Sequence, residues 1–349
     1  MKKRKKVLLI IPFINQFIQK DIDFLESEFS LTISNQNWKI KPLVPLFLIY
    51  QLFQMIIKVP STDKVLIQFG GFWSLLPSII GRIFKKPVAI ILHGTDCASI
   101  PNLNYGSLRK KLLKRICQIS YKKASILFPV SDSLIQSKNE YNSSYSNQGI
   151  KYHFPNLNTP FLVIPNGLDE TFWNRESSSI KDENKCIAVF SKSQFYLKGG
   201  DLIIELAKHF PEIKFEIVGI EDNDNLHSAP DNVAFSGRLN HIELRKAYRE
   251  AQFHFQLSLF EGFGLSLCEA MLCECIPIGS SVNMIPQIIG DTGFILNQKK
   301  IDLLIDIMKK AIATTNKEDL GKKARQRIVE NFNESIRREL LINCVNNMH

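Results

Sequence analysis

Two carboxylates bracket seven residues in the segment Glu261-Gly262-Phe263-Gly264-Leu265-Ser266-Leu267-Cys268-Glu269. Two glycines follow the first carboxylate, and a helix-forming run contains the second. Glycine lets a ligand approach the backbone closely, and a helix start presents free N–H groups, so an anion site is expected between the carboxylates. The resulting order matches a nucleotide-diphospho-sugar, which presents sugar hydroxyls, a diphosphate and ribose hydroxyls. A bare Glu-x7-Glu spacing also occurs by chance, so the pattern alone does not decide function.

A second phosphate site is indicated by Lys198-Gly199-Gly200, which open a predicted helix that ends at His209. A lysine adds positive charge to the N–H groups of a helix start, and both suit a diphosphate. Lys192 lies six residues upstream and supplies a further positive charge. A surface lysine beside a turn is the structural alternative.

His93 follows the apolar segment Pro87–Leu92 and precedes Gly94-Thr95-Asp96. In open parallel sheets, ligands bind beyond the carboxyl ends of the strands, so His93 is a candidate to contact a ligand. Asp96 is a candidate either to orient His93 or to cap the segment that follows. A histidine at a strand end is, however, more often structural.

Two rounds of strand–helix alternation position these residues and predict an α/β fold with parallel sheets covered on both faces. The first half contains the predicted strands Lys6–Ile11, Lys64–Phe69, Pro87–Leu92 and Ser125–Val130 and the predicted helices Leu43–Ile57, Ser74–Phe84 and Ser107–Lys123. The second half contains the predicted strands Lys185–Phe190, Phe215–Val218, Asn232–Phe235, Phe253–Leu257 and Ile276–Gly279. Its predicted helices are Gly200–His209, Ile242–Ala251, Leu265–Leu272 and Ile301–Thr314, and a terminal helix is predicted over Glu334–Met348.

The composition fits a protein of two domains in a reducing compartment. The 349 residues are 45% hydrophobic, and seven scattered cysteines have no disulfide-framework or zinc-finger spacing. No signal peptide or confident membrane span is predicted, because the apolar run from Pro42 to Ile57 is short and contains Gln51 and Gln54. A cytoplasmic location is therefore expected.

The charge is divided unequally along the chain. Residues 1–165 carry 22 Lys/Arg against 8 Asp/Glu, a net +14, whereas residues 166–349 carry 22 against 26, a net −4. The basic half includes the predicted amphipathic helix Leu108–Cys117, in which Leu108, Leu112, Leu113 and Ile116 form one apolar stripe. That stripe either faces the core or, together with basic clusters such as Lys2–Lys6, docks on the anionic inner face of a membrane. No nucleic-acid-binding motif accompanies this charge, and no nucleic-acid partner is expected.

The segment from Ser258 to Met271 resembles the signature of the retaining nucleotide-sugar glycosyltransferases of family 4 (glycosyl transferases group 1), which have the GT-B fold. That signature is Ser-x-x-Glu-Gly-Phe-Gly-Leu-x-x-x-Glu-Ala-Met, and this chain carries each named position in register. The resemblance implies two Rossmann-like domains whose parallel sheets face each other across a cleft.

The domain boundaries also come from this resemblance. Residues 1–165 would bind the acceptor, residues 166–333 would bind the nucleotide-sugar, and the helix over 334–349 would pack back on the first domain. The turn at Pro165-Asn166-Gly167 would mark the crossing between domains, which adds Asn166 to the candidate residues.

Roles for single residues follow from the resemblance as well. His93 and Glu261 would be catalytic: His93 would touch the donor sugar and polarise the reacting centre, and Glu261 would bind sugar hydroxyls. The other donor-binding candidates share contacts with phosphate, base or ribose, and they are Lys192, Lys198, Gly199, Gly237, Arg238, Gly262, Phe263, Gly264, Leu265 and Glu269. Asp96, Asn166 and Ser258 complete the candidate set.

Four departures from the family pattern bear on the acceptor and the donor. Lys192 replaces a usual arginine, so it keeps the charge but loses the bidentate fork. Ile11–Gln16 stands where a Gly-rich loop is common, Glu274 replaces a glycine, and Asn283-Met284 replaces Gly-Gly. A divergent acceptor or sugar preference is the expected consequence.

The predicted function is a metal-independent transfer of a sugar from a nucleotide-diphospho-sugar to a glycan or lipid-linked acceptor in cell-surface polysaccharide synthesis. One alternative is a non-catalytic nucleotide-sugar-binding scaffold. Another is a metal enzyme of the GT-A kind, which would use the Asp-x-Asp motif at Asp21–Asp23 or at Asp222–Asp224. No cofactor is expected under the first interpretation.

Overall fold

The computed structural model describes residues 4–38, 40–176, 179–221 and 229–349. The chain divides into two units. The first unit comprises Met1–Ser137, Asn147–Pro165 and Ser335–His349, and the second comprises Lys138–Ser146 and Asn166–Glu334. The division at Pro165 falls where the sequence places the crossing, but Lys138–Ser146 belongs to the second unit although it precedes that point.

The first unit is built on a five-stranded parallel sheet in the order β2-β1-β3-β4-β5. Its strands are β1 (Lys6–Ile11), β2 (Ser30–Asn35), β3 (Lys64–Gln68), β4 (Val88–Leu92) and β5 (Ile126–Pro129). The central strands β3 and β4 are buried at every position, which explains why β4 is apolar throughout and β3 is apolar from Val65 to Ile67. The edge strand β2 is mostly exposed or half-buried and polar, and the sequence analysis did not predict it.

Helices cover this sheet and connect its strands. They are α1 (Gln16–Glu28), α2 (Val44–Lys58), α3 (Phe72–Ile83), α4 (Lys111–Lys123), α5 (Ile150–His153) and α12 (Glu334–Asn346). Short 3-10 turns occupy Lys41–Leu43, Thr95–Cys97, Pro101–Leu103, Ser107–Arg109 and Asp132–Leu134. The terminal helix α12 packs within the first unit, where the buried Lys64 amine donates to the carbonyl oxygens of Asn346 at 3.0 Å and Met348 at 2.7 Å.

The second unit is built on a six-stranded parallel sheet in the order β10-β9-β8-β11-β12-β13. Its strands are β8 (Asp182–Val189), β9 (Lys214–Val218), β10 (Val233–Phe235), β11 (Ala251–Gln256), β12 (Ile276–Ser280) and β13 (Phe294–Leu296). Its helices are α6 (Gly200–His209), α7 (His241–Glu250), α8 (Leu265–Leu272), α9 (Ile285–Ile289), α10 (Ile301–Ala313) and α11 (Lys317–Asn331), with 3-10 turns at Ser143–Tyr145 and Lys192–Gln194. Two-residue strands β6 (Ser137–Lys138) and β7 (Asn147–Gln148) lie where the chain passes between units.

All seven cysteines are free thiols, and only Cys344 is more than slightly exposed. Burial raises the pKa of Cys117 to about 12, so this thiol stays protonated and unreactive. The cysteines therefore pack as small apolar side chains. Among the described helices, none is long and apolar enough to cross a bilayer.

Candidate functional site

The centre of the candidate site in the second unit is an ion pair between Lys198 and Glu261. The distance from Lys198 Nζ to Glu261 Oε2 is 2.5 Å, and the two side chains are only 15% and 12% exposed. Lys198 immediately precedes Gly199, the N-cap of α6, which has a φ of +75°. A Cβ atom at Gly199 would lie 2.6 Å from the carbonyl oxygen of Leu257, so glycine is needed where the start of α6 meets the chain beyond β11.

Two further donors hold the Glu261 carboxylate in place. Gln256 Nε2 donates to Glu261 Oε2 at 2.6 Å, and Ser258 Oγ donates to the same oxygen at 3.2 Å. The backbone N–H of Glu261 donates to Asn283 Oδ1 at 3.0 Å. Asn283, a departure from the family pattern, thus anchors the backbone of the predicted catalytic carboxylate from a left-handed conformation with a φ of +52°.

The alternation along β11 explains how this network is built. Polar and apolar residues alternate from Gln252 to Ser258, so His254 and Gln256 lie on one face of β11, and Ser258 follows two residues after its end. Ser266 Oγ donates to Gln256 Oε1 at 3.0 Å, which fixes the Gln256 amide with its nitrogen toward Glu261. The sequence analysis did not select Gln256, Ser266 or His254, although polar residues at a spacing of two in a buried strand were a usable signal.

Burial lowers the pKa of His254 from 6.5 to about 4, so the neutral imidazole is the folded form at neutral pH. The unfolded chain binds this proton more readily than the folded chain. The stability that depends on neutral His254 is therefore fully present above about pH 6.5 and is lost as the pH falls toward 4. When the pH is lowered from 7 to 5, we expect the His254 titration to reduce the free energy of unfolding of the wild type by about 2 kcal/mol. Urea unfolding of wild type and His254→Gln at both pH values measures this loss, which should shrink in the variant.

The matched control is His209→Gln at the exposed end of α6, where the side chain is about half exposed. That variant should keep the wild-type pH dependence. An equal loss of stability in wild type and His254→Gln would contradict the assignment.

The loop after Glu261 ends at the start of α8. Gly262, Phe263 and Gly264 are buried, and Phe263 packs edge-on against Phe332 with ring centroids 5.5 Å apart. Gly264 is the N-cap and has a φ of +110°, a conformation that favours glycine. The free N–H groups of the first turn, which begins at Leu265, therefore face the space beside the loop.

Glu269 lies on α8, roughly 7 Å along the helix from its start. Its side chain is partly exposed. Burial raises the pKa of the Tyr248 phenol, and the charge of Glu269 raises it further. The ribose contact that the resemblance implies for Glu269 stays a prediction.

Four other candidates of the second unit have different surroundings. Lys192 is exposed in its 3-10 turn, and Arg238 is exposed after β10. Gly237 links the segments that follow β9 and β10, because its N–H donates to the carbonyl oxygen of Ile220 at 2.9 Å. Asn166 is 5% exposed, and its buried Oδ1 has no hydrogen-bond partner in the described part of the chain.

In the first unit, His93 ends a chain of buried polar contacts. Its Nε2 lies 2.7 Å from Gln68 Oε1, and Gln68 Nε2 donates to Asp21 Oδ2 at 2.8 Å. Arg337 donates from Nε and a terminal nitrogen to both oxygens of Asp21, each at 2.7 Å. Arg337 also donates to Pro165 O at 2.9 Å.

This chain of contacts sets the tautomer of His93. The Asp21 carboxylate accepts only, so Gln68 presents its amide nitrogen to Asp21 and its oxygen to His93. His93 Nε2 therefore carries the proton, and Nδ1 keeps a lone pair. Burial holds the pKa of His93 well below its usual range, and the charge of Arg337 lowers it further, so the ring is neutral.

Asp96 fixes the backbone around His93. Its carboxylate accepts hydrogen bonds from the N–H groups of Gly70 at 2.9 Å, Gly94 at 2.9 Å and His93 at 3.1 Å. It is 1% exposed, and these three contacts are all to backbone groups. The two roles predicted for Asp96, which are to orient His93 and to cap the segment that follows, stay predictions.

The two Asp-x-Asp motifs have different outcomes. Asp21 is buried against Arg337, whereas Gln19 Nε2 donates to Asp23 on the exposed side of α1 at 2.9 Å. The motif Asp222–Asp224 lies outside the described residues. Within the described ranges, no group of three or more His, Cys, Asp or Glu side chains could hold a metal ion.

Comparison with solved structures defines the class of fold. The Anabaena protein Alr3699/HepE in complex with UDP has a TM-score of 0.71 and 16% identity, over 98% of this chain and 99% of that one. Sucrose-phosphate synthase from Thermosynechococcus elongatus has a TM-score of 0.73 and 13% identity, over 98% of both chains. The chain has the GT-B fold, as the sequence predicted.

A family match covers most of the second half of the chain. Residues 171–331 match the family described as Glycosyl transferases group 1. This match agrees with the group 1 glycosyltransferase that the sequence analysis predicted, and the assignment to family 4 stays a prediction.

Characterised relatives match this chain over only part of their length. A phosphatidylinositol N-acetylglucosaminyltransferase subunit of Arabidopsis thaliana is 24% identical over 47% of this chain and 40% of that protein. The N-acetyl-alpha-D-glucosaminyl L-malate synthase of Bacillus anthracis is 25% identical over 74% of this chain and 66% of that protein. The match thus spans less than half of the first relative and just under two thirds of the second.

Proposed function

We propose that the protein is a retaining glycosyltransferase of family 4 that transfers a hexose-type sugar from a nucleotide-diphospho-sugar. The observation that carries the proposal is the Lys198–Glu261 pair beside two helix starts, in a domain of the group 1 family. A cation beside helix N-termini stabilises a leaving diphosphate, and a fixed carboxylate binds sugar hydroxyls. The names of the relatives, which are N-acetylglucosaminyltransferase and synthase enzymes, agree with this chemistry.

The transfer proceeds as a front-face displacement. The acceptor hydroxyl oxygen forms a bond to the anomeric carbon on the face from which the diphosphate leaves, and the hydroxyl proton passes to a phosphate oxygen. Lys198, with Lys192 and the helix starts, stabilises the departing charge. We assign His93 to the donor sugar, which its neutral ring and its Nδ1 lone pair would contact.

We propose further that no metal takes part and that the acceptor is a glycan or a lipid-linked sugar in cell-surface polysaccharide synthesis. The charges of Lys192 and Lys198 replace the divalent ion that an Asp-x-Asp enzyme would need. Location in the cytoplasm, on the inner face of the membrane through the basic first unit, belongs to the same proposal.

A donor screen tests the function. UDP-, GDP-, ADP- and dTDP-sugars are compared by thermal shift, and one base class should raise the unfolding free energy by about 2.7 kcal/mol at 100 times its Kd. Slow release of the nucleotide without acceptor, unchanged by EDTA, is the expected activity. Binding without any release would favour the scaffold, and loss of release in EDTA would favour a metal enzyme.

The ribose contact gives a separate prediction. Glu269→Ala should weaken binding of the nucleoside diphosphate by about tenfold or more, because two hydroxyl hydrogen bonds to a charged acceptor are lost. Isothermal titration measures the change. Glu205→Ala, on the exposed side of α6, is the control and should bind as wild type. Unchanged affinity in Glu269→Ala would remove this residue from the donor site.

A further inference from the structure

Helix α2 has its polarity inverted. Its buried side chains are Gln51 and Met55, and the Gln51 amide donates to the carbonyl oxygen of Trp73 at 3.0 Å. Gln54 accepts hydrogen bonds from Ser34 and Gln36 on the same inner side. The outward-facing side chains are large and apolar, and they are Leu43, Leu46, Ile49, Tyr50, Leu52, Phe53, Ile56 and Ile57.

The exposed fractions are high, with 61% for Leu46 and Phe53 and 73% for Ile57. Single exposed apolar residues are ordinary, but a continuous apolar helix face on a protein surface marks an interaction site. The end of α3, which packs against α2, adds Ile83 and Phe84 to this surface, at 68% and 41% exposed. We call these ten side chains, on α2 with its preceding residue Leu43 and at the end of α3, the α2 surface.

The segments that carry the α2 surface are rich in positive charge. Between Phe29 and Thr95 the sequence has one acidic residue, Asp63, against seven basic residues. Of these basic side chains, Lys41, Arg82 and Lys85 are exposed, Lys58 and Lys86 are half-buried, and Lys64 is buried. A second copy of this chain would bring like charge against like charge. An apolar face rimmed by lysine and arginine instead complements a bilayer with anionic headgroups.

We propose that the α2 surface inserts into the headgroup region of an anionic membrane. Helix α2, about 22 Å long, would lie in the plane of the interface with its basic rim at the phosphates. The proposal makes specific the membrane location proposed above and does not depend on transfer chemistry.

The sequence analysis left two alternatives for the apolar stripe of the helix Leu108–Cys117, which either faces the core or docks on a membrane. In the structure Leu108 and Ile116 of that stripe are buried, and Leu112 is 65% exposed. The predicted single apolar stripe is therefore divided, and α4 contributes mainly charge. The apolar part of the membrane surface lies on α2.

Vesicle flotation of the full chain tests the proposal. The probes are vesicles of phosphatidylcholine alone and of phosphatidylcholine with about one third phosphatidylglycerol. Wild type should float with the anionic vesicles only. Leu46→Ser and Phe53→Ser should each weaken binding about tenfold or more, because each removes an exposed apolar side chain that the membrane would bury.

Ile242→Ser is the matched control, since this side chain of the second unit is 66% exposed. It should float as wild type. A Phe53→Trp variant should show a blue-shifted emission with anionic vesicles and quenching by brominated lipid chains. Nucleotide release in solution, measured in each variant, should remain at the wild-type rate, which separates this proposal from the transferase assignment.

Three results would overturn the proposal: wild type that ignores anionic vesicles, Phe53→Ser that binds them like wild type, or Phe53→Trp that is not quenched. A concentration-dependent dimer of wild type that Phe53→Ser abolishes would assign the surface to a second copy instead.

Discussion

Lys198→Ala will lower the rate of sugar transfer about a hundredfold to a thousandfold, while the protein remains folded. The lysine amine lies 2.5 Å from Glu261 and beside the start of α6, where the proposed leaving diphosphate gains its charge. Loss of one preorganised charge at a leaving group typically costs this much. Steady-state kinetics with the donor found in the screen measures kcat and KM separately.

Glu261→Gln is the companion variant, and the double variant should be only slightly slower than either single one. The two side chains act as a unit, so their effects should not add. Glutamine keeps the shape of the side chain and removes its charge, which separates the ion pair from packing.

Lys185→Ala is the matched control for the loss of a half-buried lysine. Lys185 is 18% exposed and pairs with Glu216 at 2.9 Å and Glu250 at 3.0 Å, on strand β8 of the same unit. It borders a separate cavity of about 620 Å³ with Lys214 and Asp231, near the amino ends of β8 to β10. The Lys185→Ala substitution should leave kcat unchanged. Wild-type kcat in Lys198→Ala would reject the assignment of the leaving-group site.

Arg337→Ala will destabilise the first unit by about 3–5 kcal/mol, the largest stability effect expected for this chain. Arg337 is 3% exposed and holds both oxygens of Asp21, which is fully buried. The variant leaves an unpaired buried carboxylate and frees the carbonyls of Ile164 and Pro165. Hydrogen exchange of the β1 and β3 amides reports the opening energy of this unit alone.

Arg338→Ala, one residue further along α12, is the control. Its side chain is about half exposed and lies 3.8 Å from Glu28, so its loss should cost within about 0.5 kcal/mol. Equal exchange rates in the two variants would show that the buried pair does not stabilise the unit. Asp21→Asn with Arg337→Ala should recover part of the loss.

The predictable part of the fold is the part with continuous apolar sequence. Strand β4 is apolar throughout and β3 is apolar from Val65 to Ile67, and both are buried on both faces, so composition alone indicates them. Strand β2 and the short strand β13 are less apolar or only three residues long, and both were missed. Helix α11 was missed because it is strongly polar and buries only Gly321, Ala324 and Ile328.

The candidate site was predicted as separate residues but not as a network. Lys198 and Glu261 were each selected, yet their ion pair joins positions 63 residues apart, which no local spacing encodes. Asn283 was noted only as a departure from the family, and its contact with the Glu261 backbone depends on a left-handed conformation. Nothing in the sequence indicates that Arg337 is buried, because the local sequence around a single arginine in a charged helix is the same whether that arginine is buried or exposed.

The first unit is assembled from segments on both sides of the second, and this affects the order in which the protein can fold during synthesis. Strands β1 to β5 leave the ribosome early, but Asp21 and Lys64 must wait for Arg337, Asn346 and Met348. The second unit can close its own sheet first. Until residues 335–349 emerge, Asp21 lacks the guanidinium of Arg337, and we expect the nascent first unit to be the half more accessible to chaperones and proteases.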